Sequence, residues 1–236
     1  MIFWAGRSSD DVRLIVERYP SRTMAQRKVD VTSVPGRSGD LLFAQDAFEN
    51  YEQSYSIYLS AEAVGLPRIA AGAAGWLVAP KGYQRLEDSY DLDTYRMAYY
   101  RGPLDVENIL NKFGRATISF NCKPQRWLRG GDIPLPLVPG EALRNPTLFE
   151  ALPRITLRGS GAGVLTVGSA VVTINSMPDG VLTLDCEEQN AYGPDGANRN
   201  NTISAPEFPV LPAGETPISW SGGINAVEIV PRWWTL

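Results

Sequence analysis

The chain has 236 residues, 44% of them hydrophobic, with a formal net charge of −4 and no histidine. That length holds one large β domain or two small ones, and the apolar content excludes disorder as the main theme. Without histidine the usual general base, the Ser-His-Asp triad and the commonest metal ligand are all missing.

Met1-Ile2-Phe3-Trp4-Ala5 is apolar but too short for a signal-peptide core. No later apolar run approaches the ~20 residues that cross a bilayer, so synthesis in the cytosol is expected. Phe3 to Arg7 reads as an opening strand that ends at a turn around Gly6, Ser8 and Ser9. Val12, Leu14 and Val16 then alternate with Arg13, Ile15 and Glu17, which favours a second strand. Ser9-Asp10-Asp11 could instead cap a short helix there.

The stretch from Gln26 to Leu59 dominates the first half. Arg27, Val29 and Val31 interleave with Lys28, Asp30 and Thr32, and Tyr51, Gln53, Tyr55, Ile57 and Leu59 share one face. Between them lies Val34-Pro35-Gly36-Arg37-Ser38-Gly39-Asp40-Leu41. Pro35 presets a turn, and Gly36 and Gly39 can take positive φ without steric penalty. The expectation is a long antiparallel pairing of residues 27–32 with 51–59 around a shaped connection. No catalytic group sits in it, so assembly is a better reading than catalysis.

Ala61 to Val78 is the helix candidate, rich in alanine and ending at Pro80, with the helix starting near Leu66-Pro67. Ile69, Ala73, Trp76 and Leu77 fall on one stripe, which fits a helix covering a sheet better than a cofactor site. Gly82 to Leu86 and Tyr95 to Arg101 look like a strand pair joined by the acidic loop 87–93. That loop lacks the glycine bend and terminal glutamate of a calcium site, so a solvated turn is expected. Ala116 to Cys122 alternates cleanly as a strand. Cys122 and Cys186 stand far apart with no Cys-x-x-Cys spacing, and read as small buried side chains rather than a disulfide or zinc site.

Trp127 to Asp132 closes a first domain, 1–132, and the proline-spaced connector from Ile133 to Gly140 opens a second, 133–236. Residues 131–236 carry 5 Lys+Arg against 11 Asp+Glu, an acidic half that repels nucleic acid and anionic membranes. Short β segments follow at 154–158, 164–167, 170–174, 181–185, 216–220 and 225–230, with turns at Gly168-Ser169 and Met177–Gly180; this spacing predicts a β-sandwich. Gly159 to Gly163 leads into a strand rather than a helix, so it reads as a wide hairpin turn and not a phosphate cradle. Pro231 ends the last strand or sets it at an edge. Asp185, Glu187 and Glu188 are the residue types of a glycosidase, but neighbours on a strand face opposite ways and surface solubility explains them better. Trp220, Trp233, Trp234 and Tyr192 could form a platform for sugar rings, or serve a core or a subunit interface. The residues call for no cofactor, no metal and no enzymatic activity.

Several of these stretches together resemble one family, the distal tail (Dit) proteins of long-tailed phages. Val34 to Leu41 is similar to that family's early hairpin signature, with Ser38 where aspartate is common. Ala116 to Pro124 resembles the strand that closes its first domain. Asn145-Pro146-Thr147, Pro153 to Thr156 and the tail Val227 to Leu236 resemble its second, so the likeness runs in order through nearly the whole chain. The resemblance implies a mainly β protein: an N-terminal β domain with one helix and an extended β-hairpin, and a C-terminal galectin-like sandwich. It implies a six-fold ring of identical copies at the tail tip, docked to the tail tube protein and to tail-associated, tail fibre or receptor-binding proteins, through which DNA passes. The implied contact residues between copies are Val34, Pro35, Gly36, Arg37, Gly39, Asp40 and Leu41. No long insertion stands in the second domain, so no carbohydrate module is expected; the competing function is a carbohydrate-binding adhesin built on that domain.

Overall fold

A computed structural model describes residues 1–60, 65–109 and 112–236. The chain divides into two compact units, Met1–Arg126 with Leu236, and Trp127–Thr235. The contact boundary thus falls at Arg126/Trp127, before the Trp127–Asp132 stretch that the sequence assigns to the first domain.

The first unit contains strands β1 (Ile2–Trp4), β2 (Arg7–Ser8), β3 (Leu14–Val16), β4 (Arg27–Thr32), β5 (Leu41–Phe48) and β6 (Tyr51–Ser60), then helix α1 (Leu66–Val78). After the helix come β7 (Gln84–Asp88), β8 (Asp91–Tyr99), β9 (Glu107–Ile109) and β10 (Phe113–Leu128), whose last two residues belong to the second unit. The antiparallel order is β2-β1-β7-β8-β10-β6-β3, with β9 on β10 and the β4–β5 pair apart. Both readings of residues 9–16 hold in part: Ser9–Val12 forms one 3-10 turn capped by the Ser8 hydroxyl, and β3 starts after it.

Alternation decides which face of β6 goes inside. Tyr51, Gln53, Tyr55, Ile57 and Leu59 are buried and pack with Trp4, Leu86, Ile118 and Phe120. α1 covers this face with Leu66, Ala73, Trp76 and Leu77, and Ile69 packs beside them. Pro67 stands in the first turn, where no helical N–H is lost. Trp4 sits at the centre with no exposed surface, its Nε1 donating to the Leu77 carbonyl at 3.2 Å. The beginning of the alanine-rich stretch, residues 61–64, lies outside the described residues.

The expected pairing of 27–32 with 51–59 is corrected. β4 pairs with β5, whose Leu41–Phe48 segment carries no alternation in sequence, and β6 pairs instead with β10 over ten residues and with β3 at its end. The reason is burial: β6 has a fully apolar-facing side and needs a core, while β4 has none of its six residues buried. The acidic segment is corrected too. Only Ser89 and Tyr90 turn, and Asp88 is 2% exposed inside the unit.

The second unit contains β11 (Leu135–Pro136), β12 (Ala142–Asn145), β13 (Arg154–Val167), β14 (Ala170–Ile174), β15 (Val181–Asp185), β16 (Asn190–Tyr192), β17 (Ile203–Ser204), β18 (Gly214–Val230) and β19 (Trp234–Thr235). They form curled antiparallel structure in the order β11-β18-β13-β14-β17, with β12 on β18 and β15 between β13 and β16. One core gathers Ile155, Leu157, Leu165, Leu184, Ile218 and Ile229. The proline-spaced stretch is held to this unit: β11 pairs with β18, and the Leu137 N–H donates to Val227 at 2.9 Å. Asn145 explains its own motif, since its buried amide donates to the carbonyls of Phe149 and Leu211 while its oxygen accepts from Thr147.

Gly159–Gly163 is not a hairpin turn. It lies inside β13, opposite Ser221–Ile224 of β18, where the register of both strands slips. A Cβ on Gly159 would overlap the Gly223 carbonyl oxygen, and a Cβ on Gly223 would overlap that of Ser160. The two longest strands of the unit bend across each other here, and glycine is what permits the approach.

Candidate assembly surface

The β4–β5 ribbon is the part of the first unit that buries least. Its register sets Val29 opposite Ala44 and Val31 opposite Leu42 on one face, with Asp30 opposite Phe43 and Thr32 opposite Leu41 on the other. These four residues make the first face apolar and open, Val31 being 58% and Leu42 63% exposed; Phe43 on the second face is 56% exposed. A two-stranded ribbon is marginal in water by itself, and among the described residues each of its strands keeps one unpaired edge. Such an element points to a partner.

The base of the ribbon is fastened by local contacts. Glu49 N–H donates to the Gln26 carbonyl at 2.8 Å, the Arg27 guanidinium lies 4.8 Å from the Phe48 ring centroid, and Gln45 donates to Asp30 at 2.8 Å. The tip is a turn of the type that Pro-Gly dictates. The Arg37 N–H donates to Val34 at 3.2 Å across Pro35 and Gly36, and Gly36 takes φ 80°. Gly39 repeats the positive φ at 83°. Val34, Pro35, Gly36, Arg37, Gly39 and Asp40 are therefore gathered, exposed, at the tip, and Leu41 is half-buried where β5 begins. Sequence reasoning missed the apolar face behind them; the run Leu41-Leu42-Phe43-Ala44 was its signal.

A buried charged cluster lies under β7 and β8. The Asp88 carboxylate accepts from the Tyr55 hydroxyl at 2.7 Å, from Arg96 at 3.1 Å and from the amides of Tyr90 and Asp91. Burial and the neighbouring Asp88 charge push the Tyr55 hydroxyl well above its ordinary pKa. Arg126, 1% exposed, donates to the Thr23 carbonyl. Cys122 and Cys186 are free and buried, and burial pushes both thiols up to about 12, which leaves them unreactive at neutral pH.

Other candidates from the sequence are dispersed. Trp233 is 6% exposed in the second core, while Trp234 stacks on Phe149 with ring centroids 4.4 Å apart and donates to the Glu150 carbonyl. Trp220 is half-buried against the same core, so these rings are used in packing and do not make an open platform. Asp185 is corrected from a surface group to a structural one. It is 5% exposed and takes two 2.7 Å hydrogen bonds from Arg232, with the amides of Glu187 and Glu188 also donating to it.

Burial alone would raise the Asp185 carboxyl, but the Arg232 hydrogen bonds and charge, aided by those amides, hold it below the usual value. A lowered carboxyl contributes stability above its unfolded pKa of ~3.9, and loses it as the pH falls through the folded value. Asp185→Asn is expected to cost about 1–3 kcal/mol at pH 7. In urea unfolding the gap to the parent chain should close below about pH 4.

Among the described residues no group of three or more Cys, Asp or Glu is arranged to hold a metal ion, and no helix is long and apolar enough to cross a membrane. No family model matches the chain, and no curated protein sequence gives a significant match. Solved structures do. The crystal structure of the phage SPP1 Dit protein, described as a paradigm of the hub adsorption apparatus in Gram-positive-infecting phages, aligns with TM-score 0.78 and 12% identity over 100% of this chain and 98% of that one. Chains of the phage P2 baseplate in its activated conformation align with TM-score 0.51 and 8% identity with calcium, and 0.50 and 9% with strontium, each over 92% of this chain and 89% of that one. From end to end, at low identity, the chain has the fold of the SPP1 Dit protein.

Proposed function

We propose that this chain is a structural subunit of a phage tail tip, a distal tail protein without enzymatic activity. Copies of it close a six-fold ring that joins the tail tube to the baseplate and receptor-binding apparatus, with the second unit as the galectin-like domain outside the ring. The protein is made in the host cytoplasm and resides in the virion. The observation that carries this reading is the open β4–β5 ribbon in a chain whose fold follows the SPP1 Dit protein throughout. The ribbon's apolar face and free edges fit a neighbouring copy, which would complete the ladder and cover Val31, Leu42 and Phe43. Residues 1–130 carry 17 Lys+Arg against 15 Asp+Glu, and a first unit so near neutral suits a channel that lets DNA pass without gripping it.

The adhesin reading lacks an observation in its favour, because the tryptophans it would use are packed. Light scattering tests the main reading. The parent chain is expected to form a discrete multimer at high concentration, alone or with tail tube protein. Val31→Lys with Leu42→Asp, opposite charges on facing positions, should stay monomeric while melting within a few degrees of the parent, since surface changes usually cost under ~0.5 kcal/mol each. A parent chain that stays monomeric even with tail tube protein, or a double variant that assembles as well as the parent, would overturn the ring.

A further inference from the structure

Beside Tyr19 and Tyr90, whose ring centroids are 4.5 Å apart, the first unit holds a cavity of about 180 Å³. Arg22, Arg96 and Arg126 line it together with Asp88 and Asp91, three guanidiniums against two carboxylates. The carboxylates are already committed. Asp88 is occupied by Tyr55, Arg96 and two amides. One oxygen of Asp91 accepts from Thr94 at 2.8 Å and is shared, at 3.8 and 3.7 Å, by Arg96 and Arg126. Those two separations exceed hydrogen-bond length.

Donors are therefore left over. The Nε of Arg96 and both Nε and Nη1 of Arg126 are buried with no hydrogen-bond acceptor, on side chains only 4% and 1% exposed. Buried guanidinium donors without acceptors are costly. Burial, with Arg96 and Arg22 close by, pulls the Arg126 pKa below its ordinary value. The volume has room for a single small anion.

We propose that this cavity binds a small oxyanion, of phosphate or carboxylate chemistry, with Arg126 and Arg96 as its floor and Arg22 at its rim. Guanidinium forks match both anions.

Titration of the full chain with sodium phosphate and with sodium acetate, at ionic strength fixed by chloride, tests it through melting temperature and ³¹P line width. A saturable rise in melting temperature with either anion is expected. A response to phosphate identifies a free-ion site; a response to acetate alone identifies a site for a carboxylate. Arg22→Ala, at an exposed position, should weaken binding about tenfold while leaving the unliganded fold intact. Arg126→Gln should abolish binding if it folds. If neither anion differs from chloride, or Arg22→Ala binds as tightly as the parent, the site does not exist.

Discussion

Asp88→Ala is expected to destabilise the first unit by about 3–5 kcal/mol, since it leaves a buried guanidinium without its closest counter-charge. The parent carboxylate takes a 3.1 Å bond from Arg96, whose side chain is 4% exposed, and a 2.7 Å bond from the buried Tyr55 hydroxyl. Alanine strands both donors, and the remaining acid, Asp91, stands 3.8 Å from Arg96. It also frees the amides of Tyr90 and Asp91, which hold the two-residue turn between β7 and β8. Asp88→Asn keeps an acceptor for those amides and should lose less. Pairing Asp88→Leu with Arg96→Met should recover much of the loss, because removing both charges removes the orphan. Urea unfolding monitored by circular dichroism checks all three. A loss below 1 kcal/mol for Asp88→Ala would show that the cluster is solvated and that its burial contributes little.

That cluster also marks the limit of what could be read from the residues. Where one face of a segment is committed to a core, the pattern was legible: β6 alternates through Leu59, and α1 carries Ala73, Trp76 and Leu77 on one stripe. The acidic segment around Asp88 looked like a solvated loop because its partners are remote in sequence; Tyr55 precedes it by 33 residues and Arg96 follows by eight. Composition cannot distinguish a paired buried acid from a hydrated one. The ribbon was legible as a turn and illegible as a pairing. Val34-Pro35-Gly36-Arg37 specifies its own geometry locally, but β5 has neither face buried, so no periodicity betrayed it. The turn at Val34 to Asp40 was thus identifiable, while the apolar face of Val29, Val31, Leu42 and Ala44 had to wait for the register.

Gly223→Ala should cost about 3–5 kcal/mol or prevent the second unit from folding, in the range reserved for changes that the backbone cannot absorb. The added methyl would overlap the Ser160 carbonyl oxygen and also meet that of Ala162 at 3.1 Å. Both obstacles are main chain, so no rotamer change relieves them. Gly159→Ala meets Gly223 in the same way, and the pair should not be additive because one displacement of β13 from β18 relieves both clashes. Gly161→Ala is the control. It sits in the same bulge with φ 80° but with open space around its Cβ, so it carries only the left-handed penalty of about 1–2 kcal/mol. The crossing matters because β13 contributes Ile155 and Leu157 to the core before the glycines and Leu165 and Val167 after them, while β18 does the same with Ile218 and Ile229. Unbending the strands would withdraw one half of each from that core. Melting curves of the three variants separate the two causes: similar losses at residues 161 and 223 would mean that backbone conformation alone, and not the close approach of the strands, selects glycine here.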